Sequence, residues 1–182
     1  YKKGNMIFNL DKAKDSRSET NEVLIVEGYM DVVSVYSSGV KNVVANSGTA
    51  LTERQISLIW KFFSNPIICL DGDESGQKAA LRIAEKLFPL INEKNKIYFS
   101  IMPDGKDPDE YIKQKGRDGL INLLNEKEII QTFIWNYHLS KIDQNNPYEI
   151  SKFEKEIKNL SYLIQDETLK KYVLEDFLEK LK

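Results

Sequence analysis

The sequence holds one cysteine, Cys69, and one histidine, His138, among 182 residues. A single cysteine excludes a disulfide framework and fits a reducing compartment. With so few soft ligands there is no Cys/His cluster to hold zinc. His138 falls in a helical stretch without a histidine or cysteine partner, so a Ser–His or Cys–His hydrolase is not expected. No apolar run is long enough to span a bilayer and no signal peptide opens the chain, so no membrane is expected. No charge of one sign dominates: 26 Lys and Arg stand against 28 Asp and Glu, a formal net charge of −2. Bulk charge therefore does not mark a nucleic-acid binder, and any such contact must come from a local patch. Repeats and low-complexity tracts are absent too. What is present is a hydrophobic fraction of 41%, enough for a packed core. The chain opens on Tyr1 and not on a methionine, as a piece of a longer protein does.

Three apolar runs of strand length end abruptly in acid. Val23–Val26 runs into Glu27, with Asp31 four places on. Ile67–Leu70 runs into Asp71, Gly72 and Asp73. Ile97–Met102 runs into Asp104, Asp107 and Asp109. The first run is continuously apolar, as a strand covered on both faces is. Between them lie helical patterns: Tyr29–Ser38 closing at Gly39, then Ile56, Ile59, Trp60 and Phe63, then Ala80, Ile83, Ala84, Leu87, Phe88 and Ile91. Thr52 and Gln55 have capping-box spacing before the second of these. A further short strand is expected over Asn42–Asn46. Strands alternating with helices at this spacing predict βαβ units, a parallel sheet and right-handed crossovers. About four strands are expected, with helices on both faces.

After Gly116 no strand pattern is apparent. Three helical stripes follow: Ile130, Phe133, Ile134 and Tyr137; then Ile150, Phe153, Ile157, Leu160 and Ile164; then Leu169, Tyr172, Val173 and Phe177. The expected organisation is an N-terminal segment (1–21), an α/β domain (22–116) and a helical bundle (117–182). Trp60, Trp135 and the C-terminal aromatics read as core.

In an open parallel sheet the carboxyl ends of the strands meet at one crevice. The acids would converge there, where like charges repel unless a cation sits among them. A hard divalent ion such as Mg²⁺ or Mn²⁺ suits oxygen ligands. Each acid also has a structural alternative. Asp31 suits the first turn of a helix, Asp73 a helix cap after an Asp-Gly turn, and Asp104, Asp107 and Asp109 the start of a helix at Pro108. Three acids at one crevice are hard to explain by capping alone. The turn Ser47-Gly48-Thr49 can offer backbone N–H groups and a hydroxyl to phosphate, or be a turn and nothing more. Gly72–Lys78 lacks the spacing of a Walker loop. Carboxylates with no histidine base point to metal-assisted phosphoryl chemistry, which leaves polymerase, nuclease, strand transferase and phosphatase open.

Four motifs in order narrow this: Glu27-Gly28-Tyr29-Met30-Asp31, Ser47-Gly48-Thr49-Ala50-Leu51-Thr52, Asp71-Gly72-Asp73 with Gly76, and Pro103-Asp104-Gly105-Lys106-Asp107-Pro108-Asp109. Together they resemble the Toprim domain of bacterial DNA primases, and the Glu-Gly-Tyr-Met-Asp form is closer to primase than to topoisomerases or recombination proteins. Lys3-Gly4 with Ile7-Phe8-Asn9-Leu10 resembles the segment preceding that domain, and the tail resembles the bundle closing the polymerase core. The resemblance covers essentially the whole chain. It implies a Rossmann-like Toprim sheet followed by a helical bundle, and a nucleotidyltransferase that makes RNA primers on single-stranded DNA.

By the same resemblance Glu27, Asp71 and Asp73 are the principal ligands of Mg²⁺ or Mn²⁺ and the catalytic acids. Asp31, Asp107 and Asp109 line the site, Lys3 faces it, and Lys3, Ser47, Gly48 and Thr49 meet nucleotide or DNA. Single-stranded template, nucleoside triphosphates and the nascent primer are the implied partners. A replicative helicase is a further one, reached through a domain outside this sequence. A monomer in the bacterial cytoplasm is expected. Two departures stand out: Ser47 where primases commonly have Leu, and Glu74-Ser75 where they often have Arg-Ala, which removes a positive charge beside the site. No zinc-binding domain and no N-terminal half of the core lie in these residues, so the chain alone is expected to prime poorly. The alternatives are a Toprim-type metal-dependent nuclease or strand transferase, and a nucleotide-responsive interaction module in which the acids hold a regulatory ion.

Overall fold

The computed structural model describes residues 5–46 and 50–182. The chain begins with the short helix α1 (Leu10–Ala13) and continues through β1 (Glu22–Val26), α2 (Tyr29–Ser37) and β2 (Val43–Ala45). It then forms α3 (Glu53–Trp60), β3 (Asn65–Leu70), α4 (Glu74–Leu87), β4 (Tyr98–Ile101) and α5 (Pro108–Asn125). A two-residue strand, β5 (Glu128–Ile129), precedes α6 (Ile130–Leu139), α7 (Pro147–Tyr162) and α8 (Glu167–Lys180).

Among the described residues the sheet has five strands in the order β2-β1-β3-β4-β5. The first three pairings are parallel; β4 and β5 are antiparallel, with Tyr98 opposite Ile129 and Phe99 opposite Glu128. β5 corrects the expectation that no strand follows Gly116. Gly116 itself interrupts α5, with φ +67.

The sheet separates two layers of core. Leu24, Val26, Ile67 and Cys69 point to one face and meet Val32 and Val35 of α2 and Leu120 and Leu124 of α5. Val23, Ile25, Ile68, Leu70 and Phe99 point to the other, against α3, α4 and the C-terminal helices. This period-two split explains why the strands read as unbroken apolar runs. The tail docks through aromatic rings. Phe133 stacks on Phe99 with centroids 4.5 Å apart. Trp135 lies between Phe153 at 4.9 Å and Phe177 at 5.4 Å.

Not every aromatic in the tail is core, as the sequence had implied. Tyr162 and Tyr172 are more than half exposed. Trp60 is only half-buried, and its indole N–H donates to the Lys96 carbonyl at 3.0 Å. His138 joins α4 to α7, with Nε2 3.1 Å from Glu85 Oε1 and Nδ1 3.6 Å from Glu156 Oε2. The capping box before α3 forms as expected: Thr52 Oγ1 accepts from the Gln55 N–H, and Gln55 Oε1 accepts from the Thr52 N–H.

Candidate metal centre

β1 and β3 are neighbours, yet the chain leaves β1 toward β2 on one side and leaves β3 toward β4 on the other. Such a reversal opens a crevice at the carboxyl ends of the two strands. Glu27 follows β1 there, and Asp71 follows β3.

Two glycines let the turn after β3 fit. A Cβ on Gly72 would sit 1.8 Å from the Met102 carbonyl oxygen, because this turn runs against the end of β4. A Cβ on Gly76 would sit 2.1 Å from the Asp71 carbonyl oxygen. The first turn of α4 therefore folds back directly over Asp71. Asp73 caps that helix, its Oδ1 accepting from the Gly76 N–H at 2.6 Å. Asp107 caps α5 in the same way, accepting from the Glu110 N–H at 2.8 Å. Asp31 Oδ2 accepts from the Gly28 N–H at 3.3 Å at the start of α2. The structural roles foreseen for Asp31, Asp73 and Asp107 are thus real, and Asp73 and Asp107 each cap through a single carboxylate oxygen. Capping and ion binding are compatible.

The charges gather around Asp71. Burial, then Glu27, Asp31, Asp107 and Asp73, push its carboxyl from the ordinary 3.8 up to about 6. Burial also raises Asp31, with help from Asp107 and Glu27 and against backbone N–H donation from Gly28 and Asp109. Five carboxylates separated by up to eighty positions in the chain therefore share one electrostatic neighbourhood. Among the described residues no three Asp, Glu, His or Cys close into a ready-made ion cage. An acid set that is crowded but open leaves room for a hard cation whose coordination is completed by water and phosphate. Burial holds the thiol of Cys69, behind the site, far above its ordinary range, so it is inert there.

Residues 24–112 match the Toprim-like family. DNA primase of Rickettsia prowazekii is 32% identical over 93% of this chain, and that of Escherichia coli K12 is 30% identical over 100% of it. The chain carries a Toprim domain and is homologous to bacterial DNA primases. It spans 29% and 31% of the length of those two relatives. The Toprim fold superposes on a DnaG catalytic core with a TM-score of 0.89 at 29% identity, covering 100% of this chain and 58% of that one. A DnaG primase catalytic domain bound to single-stranded DNA matches with a TM-score of 0.87 at 29% identity, over 97% of this chain and 57% of that one.

Within this Toprim domain the structure brings together Glu27, Asp31, Asp71, Asp73 and Asp107. Asp109 stands differently. Its Oδ2 lies 2.6 Å from Lys113 Nζ, and Lys113, then Ser34, hold its carboxyl below the usual range. Asp104 has a left-handed backbone, φ 59, and its carboxylate faces Lys106 Nζ at 3.5 Å. Lys3, Ser47, Gly48 and Thr49 lie outside the described residues. The partners of Asp109 were not singled out from sequence. The four-residue spacing of Asp109 and Lys113 on one helix is the signal that could have found the first of them.

Proposed function

We propose that this chain is the metal-binding part of a DNA primase catalytic core, acting in RNA primer synthesis on a single-stranded DNA template. The observation that carries the reading is Asp71, pushed to about 6 by burial and by four other acids at a strand-end crevice. So much uncompensated negative charge calls for a divalent cation, and Mg²⁺ or Mn²⁺ suits an all-oxygen donor set. Glu27, Asp71 and Asp73 would hold it, with Asp31 and Asp107 adding negative potential and Asp109 retained by Lys113. When bound, such ions lower the pKa of a hydroxyl nucleophile and stabilise the leaving oxygen.

The residues of the chain then position the reactants. The 3′-hydroxyl of one nucleotide attacks the α-phosphate of the next, and pyrophosphate leaves. Glu27 and Asp71, on the ends of adjacent parallel strands, fix the site to the stiffest part of the molecule. The caps on α4 and α5 fix the rotamers of Asp73 and Asp107, so the site is largely set before substrate arrives. Lys3 would contribute a positive charge toward nucleotide or template, and Ser47, Gly48 and Thr49 backbone donors. Nucleoside triphosphates and single-stranded DNA are the proposed substrates, with a helicase met through another part of the longer protein. The relatives are primases, which supports this reading over a nuclease, a strand transferase or a regulatory module.

The test uses the full-length protein carrying this chain, a single-stranded template, labelled nucleoside triphosphates and Mg²⁺. Asp71→Asn and Asp73→Asn should each lower primer synthesis by roughly a hundredfold or more, with an unchanged circular dichroism spectrum. Unchanged synthesis in both variants, or Mn²⁺-dependent cleavage of labelled DNA in place of synthesis, overturns the proposal.

A further inference from the structure

A cavity of about 330 Å³ opens beside Glu27 on the α4 side of the sheet. That volume is at the lower end of small-ligand pockets, about 300–1,000 Å³. The strands give it an apolar base from Ile25, Ile68 and Leu70, and Leu51 and Ile83 form apolar sides. Its charged members are Glu27 and Arg82 of α4.

The state of Arg82 is informative. Among the described residues no carboxylate lies within ion-pair distance of it, and its Nε makes only a long 3.4 Å bond to the Lys78 carbonyl of its own helix. One turn earlier on the same helix face, Lys78 is tied to Glu74 at 2.6 Å. One turn later, Lys86 Nζ is 3.5 Å from the carbonyl of Leu51 in the cavity wall. Among the described residues Arg82 is thus a cation without a carboxylate partner, on the wall of an apolar slot whose lining also includes Glu27 of the acid cluster. The slot has faces for a flat aromatic ring, and the guanidinium has a fork for phosphate oxygens.

We infer that this cavity seats the base and ribose of the nucleoside triphosphate whose phosphates lie at the acid cluster, and that Arg82 donates to one of those phosphates. The inference rests on the nucleotide-joining function proposed above and adds to it a place for the substrate. Arg82 would be a substrate-binding residue, and Ile83 and Leu51 would set the width of the slot.

Three measurements on the full-length protein test it. With 8-azido-ATP and Mg²⁺, the photolabel should fall on the peptide holding Ala79–Ile83 or on the one holding Leu51. Arg82→Ala should weaken ATP binding and raise the nucleotide KM by roughly tenfold, as loss of one charge-assisted hydrogen bond does. Its kcat and single-stranded DNA affinity should stay within about twofold of wild type, and Arg82→Lys should recover part of the loss. Ile83→Trp, which fills the slot, should weaken ATP binding in the same way. If that variant fails to fold, the exposed Arg82 variants decide the matter alone. Labelling elsewhere, an unchanged nucleotide KM in Arg82→Ala, or a fall in DNA affinity with ATP binding intact overturns the inference. Azido labelling of α4 in a protein that makes no primer would keep the cavity assignment and refute the primase reading. Primer synthesis indifferent to Arg82 would do the reverse.

Discussion

Gly72 lies against Met102 so closely that a single added carbon would come within 1.8 Å of the Met102 carbonyl oxygen. The turn that carries Asp71 and Asp73 is therefore wedged against the strand next to β3, and the acids inherit the rigidity of the sheet. Gly72→Ala should destabilise the protein by roughly 2–4 kcal/mol, because both clashing groups are backbone and neither can rotate away. Gly105 is the control. Its φ is +70 and a Cβ there would meet nothing within 4 Å. Gly105→Ala should cost only about 1 kcal/mol, the strain of a left-handed alanine. Urea denaturation of both variants checks the order.

Asp71 makes stability depend on pH in a stated direction. Its folded-state carboxyl is raised from 3.8 to about 6. The folded form therefore holds a proton that the unfolded form has lost, so the stabilisation is fully present below about pH 4 and is lost as pH rises through about 6. A rise of that size corresponds to about 2.7 kcal/mol, but Asp71 is partly exposed and solvent screening reduces this to roughly 1 kcal/mol. In the absence of divalent ions, Asp71→Asn should be more stable than wild type by about that amount at pH 7 and equal to it at pH 4. Thermal melts of the pair across this range, taken as a difference, isolate the group. A constant difference would remove Asp71 as the focus of the repulsion.

The helical tail is fixed to the sheet by Phe133 stacked on Phe99 at 4.5 Å. Phe133→Ala should cost about 3–5 kcal/mol by leaving a cavity in that contact. Tyr172, more than half exposed, should tolerate alanine within about 0.5 kcal/mol. Guanidinium titration of the two variants gives the contrast. Equal effects would mean that the tail is held in another way.

Much of this was legible from residue order. β1 and β3 are covered on both faces, so Val23–Val26 and Ile67–Leu70 read as unbroken apolar runs, and the acids at their ends marked the crevice. β5 was not legible, because Glu128 and Ile129 become a strand only through pairing with Phe99 and Tyr98. Tyr172 read as core because tyrosine counts as apolar in a helical stripe, while its neighbour Val173 is the residue that is buried. Asp109 looked equivalent to Asp107 in sequence. The fold separates them: Asp107 caps α5 beside the other acids, whereas Asp109 turns to Lys113 and to Ser34 of α2. That second contact exists only because α2 and α5 share one face of the sheet.

The central claim is that Glu27, Asp71 and Asp73 hold a divalent ion together. Mn²⁺ titration followed by electron paramagnetic resonance, on wild type and on Asp71→Asn at pH 7.5, tests it most directly. The wild type should bind saturably and the variant at least about tenfold more weakly, with both proteins equally folded. Equal affinity and stoichiometry in the two would contradict it.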